Sequence, residues 1–133
     1  MVRPLFDTNI LIDYLNAIPA AAEELDRYES AAISIITWME VLAGAAPDVV
    51  DATRRFLAGF QIVPLQAAIA EKAVQIRRAH RIRLPDAIIW ATAATNSMLL
   101  VTRNTKEFPA SSPDVRIPCV LATVTDRSPP SAG

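Results

Sequence analysis

The sequence contains a single cysteine and a single histidine, and these two shortages exclude several kinds of chemistry. One cysteine, Cys119, cannot form an intramolecular disulfide. One histidine, His80, is too few for a paired-histidine nuclease or a multi-histidine zinc site. Any catalysis by this chain must therefore depend largely on carboxylates.

An excess of one charge and long apolar runs are also missing. The 133 residues include 13 Lys and Arg and 14 Asp and Glu, for a formal net charge of −1. A nucleic-acid partner would therefore have to bind local basic patches. No apolar run approaches the roughly 18 residues of a membrane-spanning helix, and the first residues lack the apolar stretch of a secretory signal. We expect no membrane partner and a cytoplasmic location.

The hydrophobic content of 52% is enough to fill the core of one domain. We predict one domain over residues 1–124 and a disordered tail over 125–133, where the sequence has little to bury. The hydrophobic content also exceeds the ordinary level of about 45 to 50%. Some apolar surface should therefore remain for association, and we expect a homodimer. The segments 20–29 and 49–59 are the predicted walls of a groove for a partner helix.

Short apolar segments alternate with helical patterns along the chain. Strands are predicted over residues 2–6, 31–36, 60–63, 98–102 and 116–121, and helices over 9–16, 20–29, 38–45, 49–59, 66–81 and 85–96. This alternation predicts an α/β fold with a parallel sheet and helices on both faces. Pro118 places the fifth strand at an edge, and Pro4 indicates that the first strand begins at Pro4 or Leu5.

Two aspartates occur where predicted helices begin. Asp7 ends the first strand, at the edge where an open parallel sheet has its ligand crevice, but a side chain there can also cap the next helix. Asp86 follows Pro85 in the first turn of a helix, where the macrodipole favours a carboxylate. The rest of that helix is almost wholly apolar and must be buried. Asp86 should therefore face the interior crevice.

Glu40 has two interpretations. Thr37 and Glu40 have the spacing of a capping box, in which the two side chains satisfy each other's backbone donors. The same helix also begins just after a buried strand, so that Glu40 would lie at the same sheet edge as Asp7. The motif favours capping, whereas the location favours a functional carboxylate.

The loop after the fourth strand is polar. Asn104 and Glu107 have the spacing of a cap pair, and either could instead hold a metal or its water ligands. Arg103 and Lys106 are candidates for phosphate contacts beside the crevice. A second basic run, residues 77–83, either ends a solvated helix or contacts RNA.

In a doubly wound sheet these carboxylates would converge where the strand order reverses. Such a cluster raises its own pKa values by repulsion unless a cation neutralises it. Mg²⁺ binds oxygen ligands and commonly uses a few carboxylates together with substrate phosphates. The pattern therefore predicts a metal site that acts on a phosphodiester.

Four segments of this chain resemble the motifs of PIN domains, in order and in rough spacing. They are Asp7 to Asn9, Thr37 to Glu40, Leu84 to Ala87 and Val101 to Phe108. Any one of them is a weak signal, but four in order are specific. The resemblance covers about residues 4–121. The sequence is similar to free-standing PIN-domain toxins of VapC type.

The resemblance implies a three-layer α/β/α sandwich around a parallel, Rossmann-like sheet. It also implies a divalent-metal-dependent endoribonuclease, the toxin of a type II toxin-antitoxin system, that uses Mg²⁺ or Mn²⁺ and is controlled by a cognate antitoxin of VapB type. Asp7, Glu40 and Asp86 would be the catalytic metal ligands, supported by Thr8, Asn9 and Thr102. Many relatives have a fourth aspartate where this chain has Asn104. This departure leaves the fourth ligand open between Asn104 and Glu107, and the number of metal ions open too.

Rival functions make different demands on the sequence. A haloacid-dehalogenase phosphatase needs an aspartate at the position of Asn9, and a response-regulator receiver needs one where Val63 ends the third strand. Both are disfavoured. A catalytically inactive PIN-like module that binds RNA or protein is the remaining alternative. For a nuclease, single-stranded or looped RNA is the expected substrate, because exposed bases can enter a cleft.

Overall fold

The computed structural model describes residues 3–108, 112 and 114–118. The strands in this part are β1 (Pro4–Phe6), β2 (Ala32–Ser34), β3 (Gln61–Val63), β4 (Leu99–Val101) and β5 (Val115–Arg116). The helices are α1 (Thr8–Leu15), α2 (Pro19–Asp26), α3 (Ile35–Ala43), α4 (Val50–Leu57), α5 (Ala67–His80) and α6 (Leu84–Thr95). Cys119 and the predicted tail, 125–133, lie outside the described residues, as does the end of the predicted domain.

The strands form one parallel sheet in the order β3-β2-β1-β4-β5. The central strand is β1, in which Leu5 pairs with Ala32 on one side and Leu100 on the other. The chain moves outward from β1 to β3 and then returns to β4 on the opposite side. The strand order therefore reverses between β1 and β4, which is where open α/β sheets have their ligand crevice.

Successive strand residues point to opposite sides of the sheet, so that both faces carry apolar side chains. Helices pack on each face. Leu5 and Leu100 belong to a core with α5 and α6, whereas Phe6 and Val101 belong to a core with α1 to α4. All four side chains are fully buried, and each stabilises the fold by about 1.5 to 3 kcal/mol through burial alone. The predicted α/β/α sandwich with a parallel Rossmann-like sheet is confirmed.

The predicted boundary between β2 and α3 is wrong. We expected a strand over 31–36 and a helix from residue 38, but β2 ends at Ser34 and α3 begins at Ile35. The Ser34 hydroxyl accepts a hydrogen bond from the Ile36 N–H at 3.0 Å and caps the helix. Two β-branched isoleucines favour a strand by propensity, and this cap places them in a helix instead.

The ends of other strands and helices also differ slightly from the predicted bounds. Pro4 is the first residue of β1, which is one of the two starts that its ring allows. Pro85 is the second residue of α6, one position later than expected. The strand β5 lies at a sheet edge, as predicted, and begins at Val115. No helix in the described ranges is both long enough and apolar enough to cross a membrane.

Candidate active site

The carboxyl ends of β1 and β4 meet where the strand order reverses. Asp7 follows β1 and Thr102 follows β4. The Asp7 N–H donates to the Val101 carbonyl at 2.9 Å, which extends the pairing of the two strands by one residue. Two polar side chains that are 95 positions apart in the sequence are thereby brought into contact.

The Asp7 carboxylate accepts hydrogen bonds on both of its oxygens. Oδ1 accepts from the Thr8 N–H at 2.7 Å, and Oδ2 accepts from the Thr102 hydroxyl at 2.7 Å and from Asn9 Nδ2 at 3.1 Å. The contact with Thr8 is a helix cap, so Asp7 does cap α1. The contacts with Asn9 and Thr102 fix the orientation of the carboxylate as well.

The carboxyl group of Asp7 has a strongly perturbed pKa. Asp7 is 3% exposed, and its burial raises the pKa to about 6. Hydrogen bonds from Thr102 and Thr8 oppose this effect, while the negative charges of Asp86 and Glu40 raise the pKa further. The three predicted carboxylates therefore interact electrostatically. A bound cation would stabilise the ionised form of Asp7.

Glu40 points from α3 toward α1. Its Oε1 accepts a hydrogen bond of 2.6 Å from the Thr8 hydroxyl, and Thr37 Oγ1 lies 3.1 Å from the same hydroxyl. Because Ser34 is the N-cap, Thr37 and Glu40 lie inside the helix and beyond the cap. The capping-box interpretation of Glu40 is therefore wrong.

A pair of substitutions tests this assignment of the cap. Ser34→Ala should lower the free energy of unfolding by about 1 kcal/mol, because it removes the capping oxygen. Glu40→Gln should change it by less than about 0.5 kcal/mol, because Glu40 is exposed and glutamine can still accept from Thr8. Urea denaturation monitored by circular dichroism measures both values. Equal losses in the two variants would restore the capping role of Glu40.

Asp86 lies in the first turn of α6 and is buried. Burial raises the pKa of its carboxyl, and the hydrogen bond and charge of Arg83 oppose that shift. Arg83 Nε donates to Asp86 Oδ2 at 3.0 Å, and Arg83 Nη2 lies 2.8 Å from the same oxygen. The sequence pattern places Arg83 in a basic run and does not by itself indicate this contact with Asp86. The spacing of i and i+3 across a helix start was the available signal.

Asn104 and Glu107, the two candidates for a fourth ligand, make different contacts. Asn104 Oδ1 accepts from the N–H groups of Lys106 and Glu107, both at 3.2 Å, so Asn104 caps the turn after β4. Glu107 Oε1 accepts from the Arg83 N–H at 3.2 Å and so attaches this loop to the start of α6. The two residues do not form the reciprocal cap pair.

Of the two predicted phosphate contacts, Arg103 has a protein partner. Its guanidinium forms a bidentate ion pair with Asp13 of α1, with Nε to Oδ2 at 2.7 Å and Nη2 to Oδ1 at 3.1 Å. The Arg103 N–H also donates to Asn9 Oδ1 at 3.2 Å. These contacts hold Arg103 in place beside the site. Lys106 is exposed in the same loop.

All three predicted carboxylates line one cleft of about 510 Å³, which we call the carboxylate cleft. Its lining consists of Asp7, Thr8, Asn9, Ile12, Glu40, Ala43, Arg83, Asp86, Arg103 and Asn104. The charged and polar ligand atoms available are carboxylate, hydroxyl and amide oxygens, which suit Mg²⁺. Among the described residues, however, no three Asp, Glu, His or Cys side chains are close enough to hold one ion together. Thr8 contacts Glu40, and Arg83 contacts Asp86. The side chains of Glu40 and Asp86 must therefore rotate to bind one metal ion together with Asp7.

A second depression adjoins the carboxylate cleft. This apolar groove has a volume of about 600 Å³ and is lined by Ile12, Leu15, Asn16, Val41, Gly44, Ala45, Ala46, Val49, Ala52 and Thr53. Ile12 lines both depressions. The walls of the groove belong to α1, α3, α4 and the segment that joins α3 to α4. The predicted groove had segment 20–29 as one wall, and this part of the prediction is wrong.

Comparison with known proteins identifies similar sequences. A family model described as PIN domain matches residues 5–110. Ribonuclease VapC10 of Mycobacterium tuberculosis is 33% identical over 113 residues, which cover 79% of this chain and 85% of that protein.

Comparison with solved structures identifies similar folds. A toxin-antitoxin complex from Klebsiella pneumoniae contains a chain with a TM-score of 0.82 and 44% identity, and the match covers 86% of this chain and 97% of that one. FitAcB from Neisseria gonorrhoeae has a TM-score of 0.72 and 25% identity, over 87% of this chain and 98% of that one.

Proposed function

This chain belongs to the PIN-domain family, and from that premise we propose that it is a Mg²⁺-dependent endoribonuclease and the toxin of a type II toxin-antitoxin system. The observation that supports this proposal best is the carboxylate cleft. Asp7, Glu40 and Asp86 come from three separate elements and line one depression at the reversal of the strand order. Capping explains Asp7 alone, and it does not explain why carboxylates from three elements line the same depression.

We assign Asp7, Glu40 and Asp86 as the ligands of a divalent ion, Mg²⁺ or, as a substitute, Mn²⁺. When bound, such an ion stabilises negative charge on the reacting phosphate and lowers the pKa of a water molecule. The oxygen ligands fit this ion, and the raised pKa of Asp7 indicates a buried carboxylate that a cation would stabilise. Asn104 is the nearer candidate for a fourth ligand, because it lines the cleft.

The residues around the ligands have separate tasks in this proposal. Thr102 and Asn9 hold the Asp7 carboxylate in one orientation, and Thr8 does the same for Glu40. Glu40, the exposed carboxylate, orients the attacking water and accepts its proton. The new bond joins the water oxygen to phosphorus, and the bond from phosphorus to the leaving sugar oxygen breaks.

We propose an antitoxin of VapB type as the protein partner, because the structure from Klebsiella pneumoniae is a toxin-antitoxin complex. The apolar groove is the surface suited to an amphipathic partner segment. Since Ile12 lines both depressions, a segment in the groove can extend a basic side chain to the carboxylate cleft and compete there with the metal. Exposed apolar side chains such as Val74 on α5 support a homodimer.

We assign the substrate to single-stranded or looped RNA, and the activity to the cytoplasm. Cations beside an acidic cleft contact phosphates in a sequence-independent way, so the choice of RNA must depend on how exposed bases fit the surface.

A cleavage assay on the purified chain tests the proposed function. RNA of mixed sequence should be cleaved with Mg²⁺ or Mn²⁺, and EDTA should reduce cleavage to background because the carboxylates alone cannot stabilise the reacting phosphate. Excess Mg²⁺ should restore it. Gel electrophoresis of labelled RNA measures all three conditions.

The control for a contaminating nuclease is Asp7→Asn protein, purified in parallel. Undiminished cleavage by the wild-type chain in EDTA would contradict the mechanism. A folded chain that binds RNA but cleaves none with either metal would instead support the inactive binding module.

A further inference from the structure

Arg83 places a positive charge on one of the proposed metal ligands. Both its Nε and its Nη2 contact the same oxygen of Asp86, Oδ2, at 3.0 and 2.8 Å. The Asp86 side chain is 8% exposed, whereas that of Arg83 is 70% exposed. The guanidinium therefore covers the buried carboxylate from the solvent side, and it lines the carboxylate cleft.

A guanidinium and a divalent cation compete for this carboxylate. Asp86 Oδ2 already contacts two nitrogens of Arg83, and two cations that share one carboxylate repel each other. While Arg83 stays in place, it therefore lowers the affinity of Asp86 for a divalent ion.

The backbone of Arg83 is fixed while its side chain extends into solvent. Its N–H donates to Glu107 Oε1 at 3.2 Å, and its carbonyl accepts from the Ala87 N–H at 3.0 Å. A rotation about side-chain bonds alone can therefore move the guanidinium. Such a rotation keeps the charge at the mouth of the cleft, because the Cα does not move.

The other arginine of the cleft lacks this freedom. Arg103 is 31% exposed, and its bidentate partner Asp13 is 14% exposed. Each of the two Asp13 oxygens accepts a hydrogen bond from Arg103, in the fork geometry that holds arginine most firmly. Of the two arginines that line the carboxylate cleft, Arg83 is the one whose side chain can rotate toward a bound phosphate group.

We propose that Arg83 covers Asp86 when the cleft is empty and turns to a phosphate group of RNA when metal and substrate bind. This inference depends on the proposed function. A guanidinium matches a phosphate as well as it matches a carboxylate, so one side chain serves both partners. Arg83 thereby lowers the affinity for metal in the absence of RNA and raises the affinity for RNA in the presence of metal.

The first arm of the test measures binding of Mn²⁺ without RNA, by isothermal titration calorimetry. Arg83→Gln should bind Mn²⁺ about two- to fivefold more tightly than the wild type, which is the range for loss of an ion pair whose cation is largely hydrated. Arg83→Lys retains a positive charge and should return the affinity toward the wild-type value. Arg55→Gln is the matched control, since Arg55 is exposed on α4 and does not line the cleft. Unchanged or weaker Mn²⁺ binding by Arg83→Gln would overturn the competition.

The second arm measures binding of a short single-stranded RNA of mixed sequence in Mn²⁺, by fluorescence anisotropy. Glu40→Gln serves as the background, because the proposed function makes it inactive while Asp7 and Asp86 keep their charges for the ion. Adding Arg83→Gln should weaken binding several-fold and reduce the slope of log affinity against log salt by about one phosphate contact. Adding Arg55→Gln should do neither. Equal slopes in the two double variants would overturn the phosphate contact.

The two proposals fail in distinguishable ways. A wild-type chain that cleaves RNA with Mg²⁺, together with an Arg83→Gln variant whose metal and RNA affinities are unchanged, would refute only the role of Arg83. A wild-type chain that neither binds Mn²⁺ nor cleaves RNA would refute the proposed function itself.

Discussion

Asp7→Asn is expected to reduce RNA cleavage by on the order of a hundredfold or more while leaving the fold intact. Asp7 is the most deeply buried of the three carboxylates in the cleft, and both of its oxygens accept hydrogen bonds that fix its orientation. Asparagine has nearly the same shape but lacks the negative charge. Initial rates at saturating Mg²⁺ measure the effect. Asp48→Asn, an exposed aspartate outside the cleft, is the matched control and should keep full activity.

The stability of the same variant in EDTA separates loss of charge from loss of fold. Burial raises the pKa of Asp7 to about 6 in the folded protein from 3.8. The folded state then binds the proton more tightly than the unfolded state, so the contribution of Asp7 to stability is present below about pH 4 and is lost as the pH rises through about 6.

Asp7→Asn has no such titration. Between about pH 4 and pH 7, the free energy of unfolding of the variant should rise relative to the wild type by on the order of 2 to 3 kcal/mol. Urea denaturation at the two pH values measures the difference. If the free energies of unfolding of the two proteins vary with pH in parallel, ionising Asp7 does not destabilise the fold. If the variant is inactive and also unstable at both pH values, its loss of activity is a folding defect.

Glu24→Gln is expected to lower the free energy of unfolding by about 2 to 3 kcal/mol, because it removes one charge from a largely buried ion pair. Glu24 of α2 is 4% exposed, and Arg116 of β5 contacts both of its oxygens, with Nε to Oε2 at 2.7 Å and Nη2 to Oε1 at 3.1 Å. Tyr28 also donates to Oε2, at 3.2 Å. Arg116 is 32% exposed, and this partial hydration keeps the loss below that of a fully buried pair.

Glu23→Gln is the matched control for this effect. Glu23 is the adjacent residue of α2 and is exposed, so its neutralisation should change stability by less than about 0.5 kcal/mol. Thermal and urea denaturation measure both variants. Similar losses of stability in the two variants would show that the effect comes from the net charge of α2 and not from the ion pair with Arg116.

The sequence was sufficient to predict which strand ends approach each other. Asp7, Thr102 and the start of α6 were each assigned to the same sheet edge, because chain order and apolar runs determine where parallel strands end. The three candidate carboxylates could be placed in one cleft for the same reason. Asp7 both caps a helix and lines the cleft, so the two interpretations of that residue were not alternatives.

The ion pairs could not be predicted in this way. Glu24 meets Arg116 across 92 positions, and Asp13 meets Arg103 across 90. A pairing of this kind depends on how α1, α2 and the last strands pack, and no local pattern encodes it. The start of α3 was missed for a different reason, since the strand propensity of Ile35 and Ile36 conceals the cap that Ser34 supplies.

The pairing of β1 with β4 also sets the point in synthesis at which the carboxylate cleft can form. Thr102 is synthesised 95 residues after Asp7, which it orients. During translation, Asp7 therefore leaves the ribosome long before β4 can place a hydroxyl beside it, and folding must wait for this distant segment. A nascent chain shorter than that has no cleft. The cleft, and any activity that depends on it, therefore forms only when nearly the whole described fold has emerged.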